Sequence, residues 1–539
     1  MRTEVDLLSE EKSTNAAASS ADLTKPSAET ESTAVKTEVK KSQQPKGLYW
    51  LFGAEAWERF SYYGMRAILV LYLVGQLQYD RKDALALYGI YTGLVYLTPL
   101  LGGYLSDRFL GARKAVIIGG CTMAIGELLL SHPTFLYPAL TLLILGNGFF
   151  KPNISNIVGG LYEENDPRRD GGFTIFYMGI NLGAFFSPLI CGSLGQTFGW
   201  SWGFIAAGIG MIIGQIIFNL GQSRFNGAGM PPEFNGPIED AHLHTRDYFE
   251  VVYWILGILG ITAAACALWS FTKTESFSLT SSPLPVAVGI GILVTVGISY
   301  LFTHQHNGHS QEQKEESESK LTIEEIHRLC VIVIITMFVA FFWLGFEQAG
   351  GTLTLFAEEQ TQRVVNCLGK VFTIPASWFQ SINPFIICTF APLFSMMWYK
   401  WDNSKYAISI PAKIGLGMII LGLGFIVMFM GSSLAADGTK VSPMWLVSVY
   451  FLHTMGELCL SPVGLSMVSK LSPHRLMSIM MGFWFLSSAA ANYFAGILEA
   501  TLHAYQINMW FFLICSSIGS GILVLMLTPL LKKWMHGKV

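Results

Sequence analysis

Charge is what this chain has little of. Asp, Glu, Lys and Arg make up 13% of its 539 residues, against roughly 25% in a soluble domain. A deficit of that size over such a length excludes a water-solvated globule and points to lipid as the solvent. The 52% hydrophobic content and mean hydropathy of +0.45 agree. Cysteine chemistry is also missing. The eight cysteines are scattered singly, with no CxxC pair, which removes a disulfide framework or thiolate metal site and leaves small apolar packing residues. No HExxH segment occurs, so metal-assisted hydrolysis has no motif to stand on. A net charge of −3 selects no partner class, and nothing suggests nucleic acid, a metal or a cofactor.

What is present is long apolar runs. They do not alternate, so they read as helices rather than barrel strands. At about 20 residues per span, they predict an all-α membrane protein of about fourteen helices, at 47–76, 83–105, 113–132, 136–158, 172–193, 199–220, 248–272, 283–304, 326–357, 376–399, 407–430, 443–469, 474–499 and 506–533. The longest hydrophilic breaks, 221–247 and 305–320, bracket 248–272 and 283–304. Setting that pair aside leaves two six-helix bundles, 47–220 and 326–533, with a linker at 221–325 that inserts a helix pair. Residues 1–46 are rich in Ser, Thr, Ala, Glu and Lys and lack a central apolar region. They read as a disordered tail rather than a signal peptide. Residues 534–539 form a second short tail.

Orientation follows from the basic residues. With both termini inside, roughly twenty Lys and Arg fall in cytoplasmic segments, Arg108, Arg113, Lys114, Lys405 and Lys470 among them. About six fall outside (Arg81, Lys82, Lys273, Arg363, Lys370 and Lys440), the positive-inside bias. The expected place is the inner cell membrane. The His304–His309 tract then lies in a solvated loop and reads as linker.

Ionisable residues inside spans cost roughly 2.5–3.5 kcal/mol on insertion scales and mark function. The first helix holds Glu55, Glu58, Arg59 and Arg66, on one broad face with Tyr62 and Tyr63. Lys151, Glu347 and Glu457 are further charges within spans. Ser461 and Pro462, just beyond Glu457, predict a break in that helix where backbone lines a cavity. Lys413 is expected to snorkel, and Glu127 has no neighbouring motif. Cations on the N-terminal half (Arg66, Lys151) and an anion on the C-terminal half (Glu457) match a zwitterion with separated charges, such as a short peptide. Tyr62, Tyr63, Tyr96, Tyr177 and Trp484 offer aromatic walls.

Glu55-x-x-Glu58-Arg59-Phe60-x-Tyr62-Tyr63-Gly64-x-Arg66 resembles the first-helix signature of the proton-dependent oligopeptide transporter family, within the major facilitator superfamily. Phe173 to Phe185, with Phe176, Tyr177, Asn181 and Gly183, is similar to that family's fifth-helix signature, and Asp107-Arg108 through Arg113-Lys114 to the superfamily's loop between helices two and three. The resemblance implies proton–peptide symport by alternating access, without a cofactor and driven by the proton gradient. Glu55, Glu58 and Arg59 match its proton-linked trio, and Glu347 an acidic position of the seventh bundle helix. Arg66 and Lys151 match cations near the peptide carboxylate, and Glu457 the acceptor of the peptide amino terminus. Tyr62, Tyr63, Tyr96, Tyr177, Asn181, Asn383, Ser461 and Trp484 match cavity positions. The second span has no histidine, so carboxylates carry the coupling. The alternative is a proton-coupled carrier of another small anion, nitrate among them, or of a peptide-like metabolite. Relatives with that habit commonly lack the two acids of the first-helix signature.

Overall fold

The computed structural model describes residues 43–163, 166–231, 241–271, 321–367, 369–405 and 407–538, with 234 and 236. The tail to residue 42, the expected helix 283–304 and the His304–His309 tract lie outside the described residues. Pro45–Val539 form one compact unit. Its helices are α1 Lys46–Gly75, α2 Arg81–Leu97, α3 Pro99–Leu105, α4 Ala112–Leu130, α5 Leu136–Gly160, α6 Arg169–Phe198, α7 Trp200–Gly221 and α8 Thr245–Phe271. They continue with α9 Ile323–Phe346, α10 Thr352–Glu359, α11 Ile382–Asp402, α12 Ile410–Ala435, α13 Met444–Leu471, α14 Met477–Ala504 and α15 Met509–Trp534.

Ten helical stretches among the described residues are long and apolar enough to cross a membrane. Charge keeps α1 and α4 out of that set. The first carries Glu55, Glu58, Arg59 and Arg66, the second Arg113, Lys114 and Glu127, and both are largely buried. A helix this polar is stable in lipid only if its charges face other protein.

Helices α1 and α4–α7 pack on one another, with α8 against α4 and α5. Helices α9, α11, α12, α13 and α15 form a second set, in which α12 touches both α13 and α15. The sets meet where α2 crosses α14, and where α6 meets α11 and the turn Ala376–Ser381.

Small residues set these distances, because helices in lipid gain by close van der Waals packing. Gly179 and Gly183 let α6 lie on α1. A Cβ at Gly179 would sit 3.0 Å from the Phe52 carbonyl, and one at Gly183 would sit 2.9 Å from Arg59 Cβ. Between the sets, a Cβ at Gly89 would meet Gly496 Cα at 2.7 Å, and one at Gly93 the Ala489 carbonyl at 3.0 Å.

Two sequence expectations are corrected, and one element was not anticipated. The predicted single helix 326–357 is α9, a 3₁₀ turn Glu347–Gly350 and α10. A side chain at Gly350 would collide with the Tyr88 hydroxyl, so the chain turns where the partner set presses closest. The segment between α10 and Ala376 holds a hairpin, β1 Val364–Cys367 antiparallel to β2 Lys370–Thr373, too short to stand out from a loop. The expected break at Ser461–Pro462 is absent, since α13 runs on to Leu471. An interior proline removes one N–H donor, and packed neighbours can keep the helix whole around it.

The first turn of α4 anchors the cytoplasm-expected segment. Arg113, fully buried, donates to the carbonyls of Ala228 and Ala241, each at 2.8 Å. Lys114 reaches Glu250 at 2.6 Å and so ties α8 to α4.

Overpacking a tight helix contact costs about 1–3 kcal/mol. Gly89→Val is therefore expected to lower the melting temperature of the detergent-solubilised protein by several degrees. Gly257→Ala in α8, where no atom of the described residues lies within 4 Å of the added Cβ, is the control. Equal melting temperatures for the two variants would show that the α2–α14 seam is not tightly packed.

Candidate functional site

Helix α1 positions the core of the site. Glu55, Glu58, Arg59, Tyr62, Tyr63 and Arg66 recur at spacings of three and four, so one face carries them all. Arg59 Nε lies 2.9 Å from Glu55 Oε1 and 2.5 Å from Glu58 Oε2. All three side chains are buried. The Glu55 contact is a hydrogen bond. The Glu58 contact is close but lacks hydrogen-bond geometry, and among the described residues neither Glu58 oxygen has a hydrogen-bond partner. Two carboxylates thus share one guanidinium, which leaves one negative charge in excess. Lys151 on α5 is within electrostatic reach of both acids. Its Nζ stands 4.6 Å from the centroid of the Tyr96 ring.

Three turns along α1 from Glu55, Arg66 crosses to the other set. Its Nη2 forms a buried ion pair with Glu347, and its Nε donates to the Tyr88 hydroxyl at 2.6 Å. Its guanidinium therefore does not stand free, as a cation awaiting a carboxylate would. The Tyr63 ring lies beside it, 5.8 Å from Cζ. Tyr62 packs edge-to-face on Tyr63, with ring centroids 5.2 Å apart, and is buried under Arg59.

On the second set, Asn383 of α11 donates to Glu457 Oε2 at 2.8 Å and to the Thr454 hydroxyl at 3.1 Å. Glu457 is half-buried and lies within electrostatic reach of Tyr63 and Tyr177. The structure thus brings Glu55, Glu58, Arg59, Tyr62, Tyr63, Arg66, Tyr96, Lys151 and Tyr177 of the first set together with Glu347, Asn383 and Glu457 of the second. Three predicted residues make no described contact with these charges. Asn181 donates to its own helix, at the Tyr177 carbonyl. Trp484 is buried against Gly464, and Ser461 is half-buried one turn beyond Glu457.

Lys413 does not snorkel. It is buried and bonds both oxygens of Asp402, at 2.7 and 2.8 Å. Glu127 is wholly buried on α4 with neither oxygen hydrogen-bonded among the described residues.

Sequence reasoning missed the polar seam at one end of the molecule. Arg81, at the start of α2, reaches Glu499 of α14 at 2.5 Å and Glu359 of α10 at 2.7 Å. Gln196 of α6 donates to Glu358 at 2.9 Å, Trp378 to the Ser193 hydroxyl at 2.9 Å, and Ser381 to the Phe185 carbonyl at 2.8 Å. The described hydrogen bonds that join the two sets gather here and at Arg66. The available signal was Glu499, a charge inside the predicted span 474–499. Tyr88, two turns before Tyr96 on the same helix, was the signal for the Arg66 partner.

Residues 113–513 match PTR2, the POT family. Over 508 residues the chain is 36% identical to the peptide transporter YePEPT of Yersinia enterocolitica, covering 90% of this chain and 94% of that one. It is 33% identical over 511 residues to a di-/tripeptide transporter of Lactococcus lactis, with coverage of 92% and 98%. The fold is similar to that of a crystal structure of a peptide transporter POT in complex with sulfate, with a TM-score of 0.73, 34% identity, and coverage of 92% and 96%.

Breaking a buried ion pair by removing one partner costs about 3–5 kcal/mol, whereas replacing both is far milder. Arg66→Met and Glu347→Gln are each expected to destabilise the purified protein, and the double variant to recover part of the loss in a thermal melt. Strictly additive losses would show that the two side chains do not depend on each other.

Proposed function

The chain belongs to the POT family, and we propose that it is a proton-coupled symporter importing di- and tripeptides by alternating access. It is a multi-pass membrane protein, and its family members are transporters. The observation that carries the reading is the division of charge in the site. Two acids and an arginine stand on α1 with Lys151 opposite, while a hydrogen-bonded Glu457 belongs to the other helix set. A short peptide has charged ends of opposite sign, and only a ligand bridging both sets engages both.

In this reading the two sets are six-helix bundles, 47–220 and 326–533. The pair 248–272 and 283–304 is inserted between them. The protein lies in the inner cell membrane with both termini cytoplasmic, and it uses the proton gradient without a cofactor. The seam of Arg81, Glu359 and Glu499 then faces outward, and the site is reached from the cytoplasm.

Coupling follows from the charge arithmetic. Glu55, Glu58 and Arg59 carry one negative charge in excess, which Lys151 balances while the site is empty; a peptide carboxylate that takes Lys151 uncovers that charge, and one proton then restores neutrality. A neutral cluster is far cheaper to enclose in a low-dielectric core than an unbalanced one. Reorientation with peptide therefore favours the proton-loaded cluster, and the empty return favours the deprotonated one. Glu347 acts at the second step. Its carboxylate holds Arg66, so a proton on Glu347 frees the guanidinium to join Lys151 on the peptide carboxylate. The outer halves of the bundles are joined in part through that same Arg66–Glu347 bond, so proton and peptide act together to release one latch. Glu457, steered by Asn383, takes the peptide ammonium. Tyr62, Tyr63, Tyr96, Tyr177, Asn181, Ser461 and Trp484 form the walls, adaptable enough for varied side chains.

Uptake into proteoliposomes under an imposed pH gradient tests the reading. A labelled dipeptide is expected to accumulate, and nitrate is not. Nitrate accumulation without peptide accumulation would favour the anion carrier. Glu58→Gln keeps shape but removes the titratable site. It is expected to abolish gradient-driven accumulation while exchange of peptide between equilibrated compartments stays measurable. Normal accumulation in Glu58→Gln would remove Glu58 from the proton pathway.

The peptide's polarity has a separate test. Losing one partner of a desolvated charged hydrogen bond costs about 2–5 kcal/mol, or tens- to thousands-fold in affinity. Glu457→Gln is expected to weaken a free dipeptide by such a factor and its N-acetyl form far less, read as inhibition constants in the uptake assay. Equal weakening of both ligands would mean that Glu457 does not receive the amino terminus.

A further inference from the structure

A second cavity, of about 580 Å³, lies among α11, α12, α13 and the end of α15. Glu457 is not part of its wall, although its neighbour Leu458 is. Four charged side chains line it: Lys413, Lys470, Lys532 and Asp402. Asp402 is consumed by Lys413. Lys470 and Lys532, from two different helices, are exposed and have no carboxylate within ion-pair distance among the described residues. The cavity thus carries two positive charges in excess.

Two further donors point to an anion. The N-terminus of α12 opens on the cavity through Ser409 and Ile410, and the Ser409 hydroxyl makes no capping bond. A helix of this length presents free N–H groups and a partial positive charge there. Trp398, also in the wall, is more than nine-tenths buried, and its indole Nε1 has no hydrogen-bond partner among the described residues. A buried donor without an acceptor is costly. Phe394, Ile408, Leu458 and Val463 add an apolar stretch of wall, beside the hydroxyls of Ser395 and Ser466. Inorganic phosphate has no use for such a surface, whereas an acyl chain does.

We propose that this cavity binds an anionic phospholipid, its phosphate held by Lys470, Lys532 and the N-terminus of α12 and its acyl chain laid along the apolar wall. Basic pockets between membrane helices are suited to such headgroups. The orientation proposed above places the cavity in the cytoplasmic leaflet, where anionic lipids collect. The site itself does not depend on the transport reading.

Native mass spectrometry and thermal melts of the full-length protein in non-ionic detergent test it, using phosphatidylglycerol, phosphatidylcholine of the same chains, and inorganic phosphate. Phosphatidylglycerol is expected to remain bound and to raise the melting temperature, at least tenfold more tightly than phosphatidylcholine. The double variant Lys470→Gln, Lys532→Gln is expected to lose at least tenfold of that affinity. Both positions are exposed, so the substitutions leave the core intact, and an unchanged melt without lipid verifies this. Lys532→Gln alone, in the last turns of α15, is the milder second variant. Equal retention of the two lipids, or of phosphatidylglycerol by wild type and both variants, overturns the proposal. Stabilisation by inorganic phosphate equal to that by phosphatidylglycerol also overturns it, because the site would then serve a free anion.

Discussion

The bond between Arg66 and Glu347 is the constraint around which the rest is arranged. A guanidinium in a membrane core is tolerable only with an acid beside it, and here the acid comes from the other half of the chain. To bring Glu347 there, the ninth helix must end in a turn, Gly350 must lack a side chain, and Tyr88 must supply a second acceptor. Gly89, the next residue, lets α2 approach Gly496 closely enough for the contact to form. One charge pair thus dictates a helix break, two glycines and a tyrosine.

The same economy organises the cluster around Arg59. Had Arg59 faced one acid, the pair would be neutral by itself. With two acids, the trio carries one negative charge that only the Lys151 ammonium on another helix offsets. The glycines of α6 matter as much as the charges, because Gly179 and Gly183 close the space around the trio and keep it out of bulk water.

Much of this was legible in sequence because a charge in a long apolar run is conspicuous. Glu55, Glu58, Arg59, Arg66, Lys151, Glu347 and Glu457 all declare themselves that way. Pairing is not legible, since it joins residues far apart in the chain. Nothing local says that Arg66 is bound by Glu347 rather than held for substrate, or that Lys413 has Asp402. Arg81 falls in a predicted loop and Glu499 at the last residue of a predicted span, so neither stands out as a charge within an apolar run. The Glu347–Gly350 turn was invisible because GFEQAGG reads as ordinary apolar helix until Tyr88 is placed against it. The hairpin Val364–Thr373 was too short to separate from a loop.

The seam around Arg81 has a consequence for kinetics. Arg81, Gln196, Trp378 and Ser381 each hold a directed bond across it, and all must part before that side opens. Bonds that break together on the way to a transition state add their enthalpy to the barrier, while much of the compensating gain in disorder comes only after opening. A carrier fastened in this way slows steeply on cooling, so the seam makes turnover a thermometer.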